Sequence, residues 1–297
     1  MPDEPYTILE IEPAWVQERE GMGTKEKFWY RPPAGEVDWL FKYPQAHTGQ
    51  HWAEKIAEQV ARSLDVFHAR VELADFSGTP GSATESFARE GRELFHGNQV
   101  LAGWVLGYDP TARLRHPQHT LGNIWLARDG AFAEQEMAHR AKTRLAEYFV
   151  LDALIGNTDR HHENWGFLRK RTGDRWMGFV APTFDHASSL GRELRDERRD
   201  LLLAEDRVGR YVEMARGCVH WKPDERYGPS PLELVRCAAQ AEPALWRVAL
   251  EKARKLPWSA VEDAVARVPE GWMSPSARGF ALALMRYTLQ ELRKLPT

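Results

Sequence analysis

Cysteine is nearly absent: Cys218 and Cys237 are the two in 297 residues, and they form no C-x-x-C pair. Such spacing signals no zinc site, and two thiols in so long a chain point to a reducing compartment rather than a disulfide framework. Long apolar runs are missing as well. The longest, 148–151 and 280–285, fall far short of the ~20 residues a helix needs to cross a bilayer. The opening Met1-Pro2-Asp3-Glu4-Pro5 has neither the basic nor the apolar region of a signal peptide, so the expected location is the cytoplasm. No charge of one sign dominates. The 40 Lys and Arg against 43 Asp and Glu leave −3, which is not the basic footprint of a dedicated nucleic-acid binder. Internal repeats and low-complexity segments are also lacking. What is abundant is tryptophan, with 12 residues, which means large aromatic packing elements without naming a ligand. The 43% hydrophobic and 28% charged content is that of an ordinary soluble globular chain, long enough for one two-lobed unit or two small domains.

The order of patterns is β-rich first and helical later. Segments 6–11, 27–30 and 38–43 read as strands, the last bounded by Pro32, Pro33 and Gly35 before it and Pro44 after it. Residues 51–64 predict a helix, because Trp52, Ile56, Val60 and Leu64 recur every four residues with Ala53, Ala57 and Ala61 beside them. A strand at 69–74 and a loop at 78–82 follow, which together make a small α+β unit. Residues 134–155 predict a long helix with Met137, Ala141, Leu145, Phe149 and Ala153 on one stripe, ended by Gly156. A hairpin of 165–168 and 176–180 turns at 171–174. The stretch 194–214 reads as charged and irregular, and the mixed charges of 192–210 argue for a solvated activation-like segment rather than a partner site. Four helices are expected at 231–241, 242–255, 259–268 and 275–294. For the last, Ser274 and Ser276 are both N-cap candidates, and Pro275 at the first helical position favours Ser274.

The chemistry concentrates in Gly156-Asn157-Thr158-Asp159-Arg160-His161-His162-Glu163-Asn164-Trp165, between the long helix and the hairpin, and in Ala181-Pro182-Thr183-Phe184-Asp185-His186 just past it. Phosphoryl transfer from Mg-ATP needs a carboxylate that orients the nucleophile and oxygen ligands that hold Mg²⁺ against the phosphates. An Asp and an Asn five residues apart on one loop, with a second Asp across a hairpin, supply that set.

N-T-D-R-H-x-x-N followed by A-P-x-F-D resembles the HipA-type serine/threonine kinases, a bacterial branch of the protein-kinase-like fold, and is similar to the related loop of phosphatidylinositol 3/4-kinases. The resemblance covers about 21–190 and is weaker in the helical tail. It implies a two-lobed protein-kinase-like α+β fold, with a small β-rich N-lobe at 1–95 and a larger, mainly helical C-lobe at 96–297. Residues 93–98 then fall at the junction, as an inter-lobe hinge or a plain loop. The resemblance further implies ATP and Mg²⁺ as cofactors and a Ser or Thr hydroxyl of a protein as acceptor. Asp159 would be the catalytic base or orienting carboxylate, and Asn164 and Asp185 would hold Mg²⁺. Lys42, in Trp39-Leu40-Phe41-Lys42-Tyr43-Pro44, would pair with the phosphates and with Glu54 of the following helix. Glu58, one turn later, is the rival for Glu54. Gly21, Gly23 and Lys27 would belong to a short phosphate-covering loop in which Thr24 is the one hydroxyl. His161 would buttress the catalytic loop, and Arg160 and Asn157 would fix its geometry or meet substrate. HipA toxins carry a further N-terminal subdomain ahead of these strands. Here the phosphate loop starts near residue 20, so that subdomain is expected to be absent or encoded elsewhere, and an antitoxin-like or N-terminal-subdomain partner would be encoded separately.

Three other readings compete. A lipid or small-molecule kinase shares the same ATP site. A pseudokinase binds nucleotide without turnover, although every catalytic position that can be placed is filled. A metallohydrolase could use His161, His162, Asp159, Asp185 and His186, but Asn164 has no place in it and His47 and His51 do not form an H-E-x-x-H pair.

Overall fold

The computed structural model describes residues 4–19, 26–33, 35–112, 116–132, 134–223 and 225–296. The expected phosphate-covering residues Gly21, Gly23 and Thr24 lie outside them.

The first part is a six-stranded sheet in the order β1-β5-β6-β4-β3-β2, crossed by one helix. Its strands are β1 (Ile8–Ile11), β2 (Val16–Arg19), β3 (Lys27–Tyr30), β4 (Trp39–Lys42), β5 (Val71–Phe76) and β6 (Thr79–Glu85). β1 runs parallel to β5 and the other pairs are antiparallel. Alternation along β3 and β4 sends Phe28, Tyr30, Trp39 and Phe41 to one buried aromatic face. Lys42 therefore falls on the opposite face, directly across from Lys27 in the ladder. Helix α1 (Gln50–Ser63) packs on β5 and β6.

Residues 79–82, expected as a loop, instead open β6. The turn is confined to Ser77 and Gly78, both at positive φ. Pro80 is tolerated because β4 pairs only with Ser82–Glu85, so the start of β6 needs a ladder partner on one side only. Gly81 is required where it stands, since a Cβ there would lie 2.4 Å from the Phe41 ring.

The chain then leaves the sheet. β7 (Arg92–His96) pairs with the hairpin β8 (Gly166–Thr172) and β9 (Arg175–Val180) in a three-stranded sheet. Residues 93–96 are thus strand rather than loop, and Gly97 begins α2 (Gly97–Trp104), which with α3 (Leu121–Ala131) carries no clear sequence signal. The long helix is α4 (Gln135–Ile155), ended by Gly156 at φ 66, a left-handed conformation that glycine adopts without strain. The stretch expected to be irregular folds as α5 (Asp196–Ala204) and α6 (Val208–Met214). Charged faces hide their few apolar anchors, Leu202, Val208 and Val212, which pack in the core. The tail forms α7 (Pro231–Ala241), α8 (Pro243–Lys255), α9 (Trp258–Ala266) and α10 (Pro275–Arg293), with the Ser274 hydroxyl accepting from the Ala277 N–H as N-cap.

One apolar core runs from α1 and β5 through α4 into the tail helices. α1 also packs on α9, where Tyr6 hydrogen-bonds Ala264 through its hydroxyl and Arg267 through its N–H. No described helix is long and apolar enough to cross a membrane.

Candidate active site

The loop between α4 and β8 is built around one buried ion pair. Asp152, on the last turns of α4, receives both Nε and an Nη of Arg160 at 2.8 and 2.7 Å. The remaining Arg160 donors go to the carbonyls of Asn164 and Phe184 and to the Thr183 hydroxyl. All five N–H groups of this guanidinium are therefore used. A buried charge needs such satisfaction to be tolerated, and here it ties the 156–165 loop to the 181–186 loop. Asn157 joins the same carboxylate through its Nδ2 and accepts from the Asp159 N–H through its Oδ1. Asn164 Nδ2 donates to the Asp159 carbonyl at 2.8 Å, which turns its amide oxygen to the other side.

Asp185 sits at φ 57, in the left-handed region, and its carboxylate lies 3.0 Å from Lys42 Nζ. Glu54 stands behind that loop. Its Oε1 accepts from the His186 N–H at 2.8 Å, while its buried Oε2 has no hydrogen-bond partner. Burial works most strongly to raise the Glu54 carboxyl, but the His186 side chain and the Lys42 charge together hold the group below the ordinary range. Glu58 faces elsewhere, onto Lys55, Arg62 and His68, a salt-bridge cluster away from Asp185. The structure thus brings Asp159, Asn164, Asp185, Lys42 and Glu54 to one junction between the six-stranded sheet and the helical part. Rings of Phe87, Phe184 and His96 gather beside it.

Around Asp159 are three residues that no sequence motif marks. Ser188 Oγ donates to its Oδ2 at 3.3 Å, and Cys218 Sγ lies 3.7 Å from its Oδ1. Arg192 donates to the Ser188 hydroxyl at 3.1 Å and to Gln45 Oε1 at 3.3 Å. Burial, then the neighbouring Asp159 charge, pushes the Cys218 thiol up to about 12, so it stays a protonated S–H. His161 accepts from the Glu163 N–H within the loop, but the ring that packs inward is His162, bonded to the Tyr108 hydroxyl at 2.7 Å. Behind it lie His116 and His119. Trp165 Nε1 donates to His119 Nε2, leaving His119 Nδ1 to donate to the Cys218 carbonyl. Burial lowers His119 to about 3 and His162 to about 4. Among the described residues, no three His, Cys, Asp or Glu are grouped to hold a metal, and His51 is bonded to the Trp272 carbonyl, so the metallohydrolase arrangement is not formed.

A curled sheet beside a helical part, with these loops at their junction, is the protein-kinase-like architecture. The sequence matches the HipA-like C-terminal domain over residues 20–255, and the chain belongs to that family. It is similar to the serine/threonine-protein kinase CtkA of Helicobacter pylori, 48% identical over 44 residues. That stretch spans 15% of this chain and 13% of that kinase. The crystal structure of the Helicobacter pylori proinflammatory kinase CtkA superposes with a TM-score of 0.77 at 17% identity, covering 97% of both chains. HipA of Shewanella oneidensis, solved as a toxin–antitoxin complex with HipB and its operator DNA, superposes with a TM-score of 0.59 at 14% identity. That match covers 96% of this chain and 67% of HipA.

Proposed function

We propose that the protein is an ATP-dependent protein kinase of the HipA type, which transfers the γ-phosphoryl group of ATP to a Ser or Thr hydroxyl of a protein acceptor. The observation that carries this reading is the Arg160 clamp. One buried guanidinium fixes the loop of Asp159 and Asn164 to the loop of Asp185, whose carboxylate meets Lys42. Phosphoryl transfer asks mainly for positioning and charge compensation, and this clamp supplies the first.

In this reading Asp159 accepts the acceptor's hydroxyl proton as that oxygen bonds to the γ-phosphorus. The bond to the β,γ-bridging oxygen breaks, and ADP leaves with its electrons. Asn164 and Asp185 fit Mg²⁺, because they offer hard oxygen ligands and the Asn164 nitrogen is already spent on the Asp159 carbonyl. Mg²⁺ bound there would neutralise charge on the β- and γ-phosphates. Lys42 and Lys27 support a phosphate site on the cleft face of the sheet. The two face each other across the β3–β4 ladder, so their positive charges are concentrated at one place. Glu54 would hold the Asp185 loop through His186. Gly21 and Gly23, just ahead of β3, would cover the phosphates with backbone N–H groups. ATP would lie between lobes that divide close to residue 95, with its base near Phe87 and Phe184.

Two unpaired thiols agree with a cytoplasmic setting. The Shewanella oneidensis complex motivates a separately encoded antitoxin-like partner, which co-purification would test.

The deciding assay is transfer from γ-labelled ATP with Mg²⁺ to the protein itself or a generic protein acceptor. We expect incorporation by the wild type and its loss in Asp159→Ala and Asp185→Ala. ATP binding without transfer or hydrolysis would instead make the chain a nucleotide-binding module, and no ATP binding would overturn the reading.

A further inference from the structure

The two oxygens of Asp159 are not equivalent. Oδ2 is held by an O–H donor that is itself backed by a cation, since Arg192 donates to Ser188 and Ser188 to Oδ2. Among the described residues, Oδ1 meets the Cys218 thiol alone, at 3.7 Å. An S–H is a weak donor, and a hydrogen bond to a charged group is worth more when the donor is a hydroxyl. An incoming acceptor hydroxyl displaces the weaker of the two contacts.

Resting on the kinase reading, we infer that Asp159 works asymmetrically: a Ser188–Arg192 relay fixes Oδ2, and Oδ1, covered by Cys218, is the oxygen that takes the acceptor's proton. Ser188 and Arg192 are then positioning residues, and Cys218 marks where the acceptor hydroxyl enters. The relay also reaches across the lobes. Arg192 grips Gln45, in the connection between β4 and α1, and its carbonyl accepts from the Gly49 N–H. The base is thus oriented through the same side chain that holds the sheet lobe against the segment following Asp185. The thiol has a fixed seat too, because His119 holds the Cys218 carbonyl.

Steady-state kinetics on the full chain test this, alongside direct titration of ATP binding and thermal melts. Ser188→Ala is expected to lower kcat about ten- to a hundred-fold, the loss of a hydrogen bond to a charged group, with ATP affinity unchanged, and Arg192→Ala to lower kcat as well. Ser188→Thr keeps the hydroxyl and should restore most of kcat, which a merely structural role would not predict. Cys218→Phe should abolish transfer to a protein acceptor while ATP still binds and the thermal melt still shows a folded chain. Wild-type kcat in Ser188→Ala, or normal acceptor phosphorylation by Cys218→Phe, overturns the inference with the kinase reading intact. A wild-type chain that transfers nothing overturns both.

Discussion

Arg160 shows how much of the candidate site rests on one side chain. It is 4% exposed and meets Asp152 in a two-point pair, so its removal strands a buried carboxylate. Arg160→Ala should cost about 3–5 kcal/mol, read as a drop in the urea midpoint. Arg160→Lys should not rescue it, since an ammonium cannot reproduce the planar fork. Asp159, Asn164 and Asp185 were legible in the sequence because two short contiguous segments carry them in a fixed order. Arg160 and Asn157 were legible as loop residues, but their common partner Asp152 was not, because it is one polar residue on an otherwise apolar helix face. Ser188, Arg192 and Cys218 approach Asp159 only through tertiary folding, Cys218 from 59 residues away. Of the two adjacent histidines, the resemblance singled out His161 to buttress the loop, whereas the ring that packs inward against Tyr108 is His162.

At the scale of elements, periodicity read the helices well wherever an apolar stripe faced a core, as in α1, α4 and α7. It failed where charge surrounded few anchors, in α5 and α6, and where turn residues sat inside a strand, in β6. Gly81 tests the reason for the second failure. Gly81→Ala would press a methyl into Phe41 and should cost about 1–3 kcal/mol by overpacking, measured by denaturant unfolding. The histidines packed behind the 156–165 loop make a second expectation. Their folded values lie below the ordinary one, near 4 for His162 and 3 for His119. The unfolded chain therefore binds protons first as pH falls. Stability from this packing is fully present above about pH 6.5 and is lost toward pH 4, by about 1.4 kcal/mol per pH unit for each ring. Groups facing the cluster include Tyr108 and Asp109 from the loop after α2, Glu163 and Cys218. His162→Gln should flatten the acid limb of a stability–pH curve, and an unchanged limb would assign it to other groups.

For the molecule as a whole, a ligand bound between two lobes stabilises both by mass action. ATP with Mg²⁺ should raise Tm in proportion to the logarithm of its concentration, and chelating the metal should remove the metal-dependent part. Asp185→Ala should abolish the difference between ATP with and without Mg²⁺, read by thermal shift. A Tm insensitive to nucleotide would count against a cleft site.

The sheet is held to the rest of the chain at unequal places. Its β1 side is stapled to α9 by Tyr6 and Arg267, and α1 leans on the same helix. The far border, β2 and β3, joins the sheet through β4 and carries Lys27. A lobe fastened along one margin swings like a door rather than a jaw. If the lobe opens about its Glu54 side, the margin that would travel furthest is the one proposed to meet the phosphates. Nucleotide exchange would then be a matter of lifting β2 and β3 alone, which amide hydrogen exchange would register as early loss of protection in those strands while β1 and β5 stay protected.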